Sequence, residues 1–264
     1  MNVAEIAAHI EALCPREFAG NWDNVGLLVG DSNQQVQTVM VTLDVDEFVV
    51  AEAAQQGVDL IVSHHPLMFE PVQQMTEHDP VQKTVRRLVA NGISFYAAHT
   101  NLDVARGGLN DKMADMLGLA DTRVLDVTVE RDGIQHGFGR YTDLKTAVTL
   151  RQMLDRCKTV FGISGVKYCG DLEKTITRVA INTGGGTSII DRCYENNVEL
   201  FITGDFKYSV VRGAYERGMC VIDAGHYDTE IIAQDFFFDY LKPKFPQLRY
   251  IKSEANKRVF ETYI

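Results

Sequence analysis

The residues of this chain that are best suited to chemistry are two adjacent histidines, His64 and His65. They follow the apolar run 58–62, which is bounded by Gly57 and Pro66 and is typical of a buried strand. The proline biases His65 towards an extended conformation, in which successive side chains point to opposite sides. We therefore expect each imidazole to offer a nitrogen to a different ion of a close pair, which first suggests a dinuclear metal site.

Two further histidines strengthen the metal interpretation. His99 and His226 directly follow predicted buried strands, and an acid lies four residues after each of them, Asp103 and Glu230 respectively. Ligand sites in open α/β sheets gather at the carboxyl ends of strands. Imidazole and carboxylate groups suit zinc, manganese, iron, cobalt or nickel, and two such ions about 3.5–4 Å apart can share a water. This pattern favours metal ligands over histidines with a purely structural role.

Other polar residues have simpler interpretations. Asp44, Asp46 and Glu47 follow a strand, but acids that open a helix are common, and we assign them that role. Three histidines lack any such context and are given no role, namely His9, His78 and His136.

Two loops are also expected to be structural. Residues 183–187 hold three consecutive glycines between a strand and a helix; a tight turn that needs free backbone angles is favoured over a phosphate-binding loop. Residues 21–24 contain the only tryptophan, Trp22, which we expect to be a packed anchor beside a polar turn.

The composition is that of an ordinary globular protein. The 264 residues are 45% hydrophobic and 23% charged, with a net charge of −10, which argues against a broad nucleic-acid-binding face. The apolar runs are too short to cross a membrane, and the N-terminal residues do not resemble a signal peptide. The five scattered cysteines fit neither a disulfide framework nor a zinc ribbon. A cytoplasmic protein is expected.

Helical and strand patterns alternate along the chain, which predicts an α/β fold with mostly parallel sheets. Strands are predicted at residues 36–43, 59–63, 93–98, 123–130, 135–141, 176–182, 199–203, 219–223, 248–253 and 258–264. Helices are predicted at residues 2–14, 47–56, 80–91, 109–117, 147–160, 188–196, 208–217 and 230–241.

The second half of the chain resembles the first. A shift of 140 positions places residues 39–66 on 179–206 without a gap, and a shift of 127 places 98–103 on 225–230. We interpret this match as an internal duplication of one β-α-β-α-β unit. The predicted lobes are residues 1–125 and 126–264, and the C-terminal strands could pack on either of them.

Several motifs together resemble one protein family over nearly the whole chain. The motifs are Trp22-Asp23-Asn24-Val25-Gly26-Leu27, Ser63-His64-His65-Pro66, His99-Thr100-Asn101-Leu102-Asp103, Thr203-Gly204-Asp205 and Gly225-His226-Tyr227-x-Thr229-Glu230. They are similar, in the same order, to those of the NGG-interacting-factor-three-like proteins, also called GTP cyclohydrolase I type 2 homologues. Ser209 stands near the position where many members have a histidine.

The resemblance implies two divalent metal ions per chain and a ring-shaped homohexamer. The ligands that it implies are His64, His65, Asp103, His226 and Glu230, with Glu230 bridging. The first lobe would then supply the histidine pair and Asp103, and the second lobe the other two ligands.

The leading hypothesis is a cytoplasmic metal-dependent hydrolase whose bridging water attacks a nucleotide-like substrate, with GTP ring opening as the example that the resemblance implies. His99 is the candidate for proton transfer or for orienting a ligand, although internal symmetry would equally make it a sixth ligand. Two alternatives stay open: a metal-stabilised binding or scaffold protein without catalysis, and a phosphoesterase.

Overall fold

The computed structural model describes residues 1–261, and these residues form two compact units. The first unit comprises Met1–Leu102 and Ala233–Lys257, and the second comprises Asp103–Ile232 together with residues 258–261. Each unit contains its own sheet flanked by helices, so the prediction of an α/β fold is confirmed. None of the helices within the described range has the length and apolarity needed to cross a bilayer.

The order of elements alternates as the sequence patterns predict. The strands of the described chain are β1 (Gly26–Val29), β2 (Thr38–Thr42), β3 (Leu60–Ser63), β4 (Ser94–Ala97), β5 (Arg123–Arg131), β6 (Ile134–Thr149), β7 (Lys167–Cys169), β8 (Thr175–Gly185), β9 (Leu200–Gly204), β10 (Cys220–Asp223) and β11 (Arg249–Lys252). The α-helices are α1 (Val3–Leu13), α2 (Glu47–Gln55), α3 (Pro80–Ala90), α4 (Thr100–Val104), α5 (Leu109–Met116), α6 (Leu150–Phe161), α7 (Ile190–Glu195), α8 (Tyr208–Glu216), α9 (His226–Glu230) and α10 (Ala233–Leu241).

The sheet of the first unit has the order β1-β4-β3-β2-β11. The three central strands are parallel because α2 and α3 form the crossovers between them, and only β1 is antiparallel to its neighbour. The carboxyl ends of β3 and β4 therefore meet at one edge. β11 lies parallel to β2, which places the predicted strand 248–253 in the first unit.

The sheet of the second unit has the order β5-β6-β8-β9-β10-β7. The β8–β9 and β9–β10 pairings are parallel, whereas the β5–β6 hairpin, its pairing with β8, and the edge strand β7 are antiparallel. The prediction of mostly parallel sheets thus holds for the first unit and not for the second, because a hairpin extends one side of the second sheet.

The strand registers of the two units agree with the internal duplication. Val39 lies opposite Leu60 in the β2–β3 pair, and Val179 lies opposite Leu200 in the β8–β9 pair. Both members of the second pair are 140 positions beyond those of the first. The same shift that aligns the two halves of the sequence therefore aligns their hydrogen-bonded ladders.

The central strands are apolar because helices cover them on both faces. In the first unit, Met40, Ile61 and Phe95 are fully buried in one cluster beneath α2 and α3. Phe201 and Val221 belong to the corresponding cluster of the second unit.

A buried ion pair connects β6 to α5 in the second unit. Arg140 of β6 is 0% exposed and contacts both carboxylate oxygens of Asp111 at 2.8 and 2.9 Å. Its remaining N–H groups donate to the carbonyls of Ala105, Gly137 and Gly139. Burial alone would raise the pKa of Asp111, but the hydrogen bonds and charge of Arg140 outweigh burial and lower it.

Some boundaries differ from the sequence expectation. The predicted lobe boundary lies at residue 125, whereas residues 103–125 group with the second unit because α5 packs on β8 and β5 pairs with β6. The predicted helix 230–241 corresponds to α10, which begins at Ala233, and Glu230 is instead the last residue of the separate helix α9. Of the predicted strand 258–264, residues 258–261 form no strand, and residues 262–264 lie outside the described residues. The short edge strands β1 and β7 were not predicted.

Candidate metal centre

Three imidazoles of the first unit form a group that could hold a metal ion. His64 and His65 follow β3, and His99 follows the parallel neighbour β4. One ligand nitrogen from each ring lies within 4.8 Å of the other two. The expectation that the adjacent histidines point apart is wrong, because β3 ends at Ser63 and the alternation of a strand no longer applies.

Hydrogen bonds fix the orientation of the two adjacent rings. His64 Nδ1 lies 2.9 Å from the carbonyl oxygen of Ala98, and His65 Nδ1 lies 2.7 Å from Asp44 Oδ1. Since a carbonyl or carboxylate oxygen accepts, each Nδ1 donates its hydrogen, and Nε2 is the nitrogen that carries the lone pair. Metal-binding histidines are commonly held in this way.

His99 is held by the buried carboxylate of Asp23. Its Nδ1 donates to Asp23 Oδ1 at 3.0 Å, while Asp23 Oδ2 accepts from the backbone N–H and the hydroxyl of Thr100. Burial raises the pKa of Asp23, but the hydrogen bonds from His99 and Thr100 and the charge of His99 outweigh it and lower the pKa to about 2. Asp23 is therefore a charged acceptor that orients His99.

In the second unit, His226 and Glu230 face each other on α9. They are four residues apart and so lie on one face of the helix, with His226 Nε2 2.8 Å from Glu230 Oε2. His226 Nδ1 donates to Asp205 Oδ2 at 2.7 Å. Glu230 is 3% exposed, and a buried carboxylate is costly unless a cation or hydrogen bonds compensate its charge.

The glycine-rich segment at the end of β8 makes room for Glu230. Gly184 has φ +60°, and a Cβ on this residue would lie 1.9 Å from Glu230 Oε1 and 3.1 Å from His226 Nε2. Its N–H donates to Thr229 Oγ1 at 2.9 Å. Gly184 thus needs the free backbone angles that were expected, but it lies within β8 and not in a turn, and its lack of a Cβ lets the backbone approach the two predicted ligands closely.

Asp103, the remaining predicted ligand, is 7% exposed. One of its carboxylate oxygens accepts from Thr183 Oγ1 at 3.2 Å, and its carbonyl accepts from Asn110 Nδ2. Asn110 in turn accepts from the Thr183 N–H at 3.0 Å. These bonds link the carboxylate to the same glycine-rich segment that approaches Glu230.

Sequence reasoning missed three carboxylates that orient the imidazoles. These are Asp23, Asp44 and Asp205. Asp44 and Asp205 follow β2 and β9, so the rule that drew attention to the histidines would also have found these acids. The helix-opening role assigned to the acids after β2 is correct for Asp46, which caps α2, and for Glu47 in its first turn, whereas Asp44 contacts His65.

Trp22 is not the packed anchor that the sequence suggested, because its side chain is 64% exposed. The three histidines without an assigned role lie in other surroundings. His9 stacks on Tyr240, His78 is largely exposed, and His136 accepts a hydrogen bond from the backbone N–H of Arg106.

Comparisons with known proteins identify relatives of this chain. The family model described as Duf34/NIF3 (NGG1p interacting factor 3) matches residues 1–258. Relatives from Clostridium acetobutylicum and Lactococcus lactis, each called GTP cyclohydrolase 1 type 2 homolog, are 34% and 36% identical over 230 residues. These alignments cover 87% and 86% of this chain and 85% and 86% of the relatives.

A Staphylococcus aureus protein of known structure has the same fold. It superposes with a TM-score of 0.91 at 25% sequence identity and covers 100% of this chain and 99% of its own. The family expected from the sequence motifs is thereby confirmed. The chain belongs to the Duf34/NIF3 (NGG1p interacting factor 3) family.

Proposed function

We propose that this protein is a metal-dependent hydrolase that uses two divalent ions and acts on a nucleotide-like substrate. The proposed ligands are the five residues that the family resemblance implies, His64, His65, Asp103, His226 and Glu230. Imidazole nitrogens and carboxylate oxygens form a donor set suited to zinc, iron, manganese, cobalt or nickel.

The observation that carries this proposal is the common orientation of four imidazoles. His64, His65, His99 and His226 all donate from Nδ1 to an oxygen atom of their own unit. In the three rings of the first unit Nε2 is thereby the nitrogen with the lone pair, whereas Nε2 of His226 also lies 2.8 Å from Glu230 Oε2. Metal-binding histidines almost always donate their other ring N–H to an oxygen in this way, which supports the proposal.

Two bound ions that share a water would lower its pKa and stabilise negative charge on a substrate oxygen. Among the residues of this chain, His99 is the proposed proton carrier, since Asp23 orients the ring through the hydrogen bond from its Nδ1. The buried carboxylate of Glu230 is the proposed bridge, because two cations would compensate a charge that burial disfavours.

The substrate class follows from the names of the relatives, which are called GTP cyclohydrolase 1 type 2 homologs. In ring opening, a water oxygen would bond to the carbon between two ring nitrogens. One carbon–nitrogen bond would break, and the leaving nitrogen would take a proton. A second water would then add to the same carbon, the remaining carbon–nitrogen bond would break, and that nitrogen would take a proton, which releases the carbon as formate. His99 is suited to supply the proton.

The proposal is tested by a metal analysis combined with a substrate panel. Purified metal-replete protein is expected to bind two ions per chain, and Glu230→Gln is expected to bind fewer and to lose any hydrolysis. Glu195→Gln is a matched control, since Glu195 is an exposed glutamate of the same unit. Fewer than two ions in the wild type, or full occupancy in Glu230→Gln, would contradict the ligand assignment.

The products identify the reaction. Incubation with nucleotides and phosphate esters is expected to release formate from GTP. Free phosphate would instead indicate a phosphoesterase, and the absence of both products in metal-loaded protein would favour a binding or scaffold role.

We also propose a homohexamer, as the family resemblance implies. Exposed tyrosines on one face of α8, Tyr208 and Tyr215, are suited to burial against another subunit. Light scattering coupled to gel filtration is expected to give six times the 29.5 kDa mass of the chain. A monomeric mass would contradict the proposal.

A further inference from the structure

Two exposed aromatic side chains of the first unit lie side by side. Trp22 is 64% exposed and Phe69 is 49% exposed, and their ring centroids are 6.2 Å apart with an angle of 32° between the planes. Large aromatic rings are usually buried in part because water solvates them poorly. An adjacent exposed pair therefore indicates a surface that binds another apolar or aromatic group.

Hydrogen bonds hold the two loops that carry these rings. Asn24 Nδ2 donates to the carbonyl of Met68 at 2.7 Å, which connects the loop of Trp22 to that of Phe69. The N–H of Gly20 donates to Thr100 Oγ1 at 3.0 Å, which fixes the first loop to the start of α4. The aromatic pair is thus preorganised, which lowers the entropic cost of binding.

The aromatic pair adjoins His99, one of the three clustered histidines of the first unit. The ring of His99 presents an edge-on contact to both Trp22 and Phe69, at 5.9 Å between centroids in each case. Asp23, which follows Trp22 in the chain, holds His99 by its hydrogen bond. A planar ring that stacks on the pair would therefore lie next to the proposed proton carrier.

A cavity of about 470 Å³ opens beside the two rings. This volume lies within the range of small-molecule sites in proteins. Its walls include the exposed polar side chains of Asn21 and Glu70. Their oxygens can accept hydrogen bonds from the N–H groups of a heterocycle, so the cavity suits a nitrogen-containing ring better than a hydrocarbon.

From these contacts we infer that Trp22 and Phe69 form a subsite on which the base of a nucleotide-like substrate stacks. The inference rests on the proposed function, since it names the part of the substrate that this surface binds. Stacking on an aromatic side chain is tolerant of the identity of the base, because every base has a π face. The base type is therefore selected by polar groups such as Glu70.

The fluorescence of Trp22 reports on this subsite directly, because Trp22 is the only tryptophan of the chain. Titration of the full-length protein with guanosine is expected to give saturable quenching after correction for absorption by the nucleoside. Ribose 5-phosphate, which has no base, is expected to leave the fluorescence unchanged. The titration is performed with and without a metal chelator, so that binding is measured separately from hydrolysis.

Substitution of the second ring supplies the decisive comparison. Phe69→Leu is expected to weaken guanosine binding by roughly 5- to 150-fold, the range for the loss of one stacking side chain. Phe48→Leu is the matched control, because Phe48 is 67% exposed on α2 and does not line the cavity. Calorimetry with Trp22→Leu is expected to show a loss within the same range.

The outcomes separate this inference from the proposed function. Equal guanosine affinity in Phe69→Leu and Phe48→Leu, or no saturable quenching in the wild type, would overturn the subsite. Guanosine binding that depends on Phe69, in a protein that hydrolyses no nucleotide, would leave the subsite standing and refute the hydrolase. Metal-dependent hydrolysis with an unchanged KM in Phe69→Leu would refute the subsite and leave the hydrolase standing.

Discussion

Replacement of Gly184 by alanine should weaken metal binding through the carboxylate of Glu230. The added Cβ would lie 1.9 Å from Glu230 Oε1 and 2.6 Å from its Cδ. The carboxylate must therefore retreat by about 1.5 Å or more before the two groups reach ordinary van der Waals separation. Since Glu230 is 3% exposed, packed neighbours oppose this movement.

The magnitude has two parts. The left-handed φ of +60° costs an alanine about 1–2 kcal/mol, and the added volume costs about 1–3 kcal/mol more. A misplacement of about 1 Å in a functional site can cost about 100-fold in activity. We expect a loss of about this size in metal affinity, because Glu230 would be the bridging ligand.

Gly162→Ala is the matched control. Gly162 has φ +63° in the same unit, and a Cβ there would meet nothing within 4 Å, so this variant has only the backbone penalty. Thermal unfolding with a chelator present and zinc titration against a competing chromophoric chelator measure stability and affinity separately. If both variants bind zinc equally, the link from Gly184 through Glu230 to the metal is refuted.

Substitutions at three charged positions should also have measurable effects. Arg140→Met should destabilise the second unit by up to about 3–5 kcal/mol, since it removes the buried cation of Asp111 and leaves only the Arg106 contact, and urea unfolding would measure this loss. The lowered pKa of Asp111 stabilises the fold above about pH 4, and this stability is lost as the pH falls through the folded-state pKa. Asp111→Asn should therefore reduce the fall in melting temperature that accompanies acidification. An unchanged decline would contradict this. Asp44→Asn should weaken metal binding by about 10- to 100-fold by loosening His65, and unaltered affinity in a zinc titration would exclude that role.

Much of the fold could be predicted because its signals are local. The apolar runs that become β2, β3, β8 and β9 are buried on both faces, so their composition alone marks them as strands. The short edge strands β1 and β7 gave no such signal, because three or four residues at a sheet edge need little apolar character.

The acids that orient the imidazoles could not be assigned from sequence spacing. Asp23 is 76 positions from His99, and Asp44 is 21 positions from His65. Acids near the start of a helix are frequent, so only the folded chain distinguishes Asp44, which bonds His65, from Asp46, which caps α2.

The sequence by itself determined the family, the alternation of strands and helices, the repeat at 140 positions, and the histidines and acids proposed as ligands. Each of these depends on residue types and on their order along the chain. Tertiary structure decided the close grouping of His64, His65 and His99, the oxygen atoms that their Nδ1 atoms contact, and the exposure of Trp22 beside Phe69. These features depend on hydrogen bonds and contacts between residues distant in the chain, and folding alone brings such residues together.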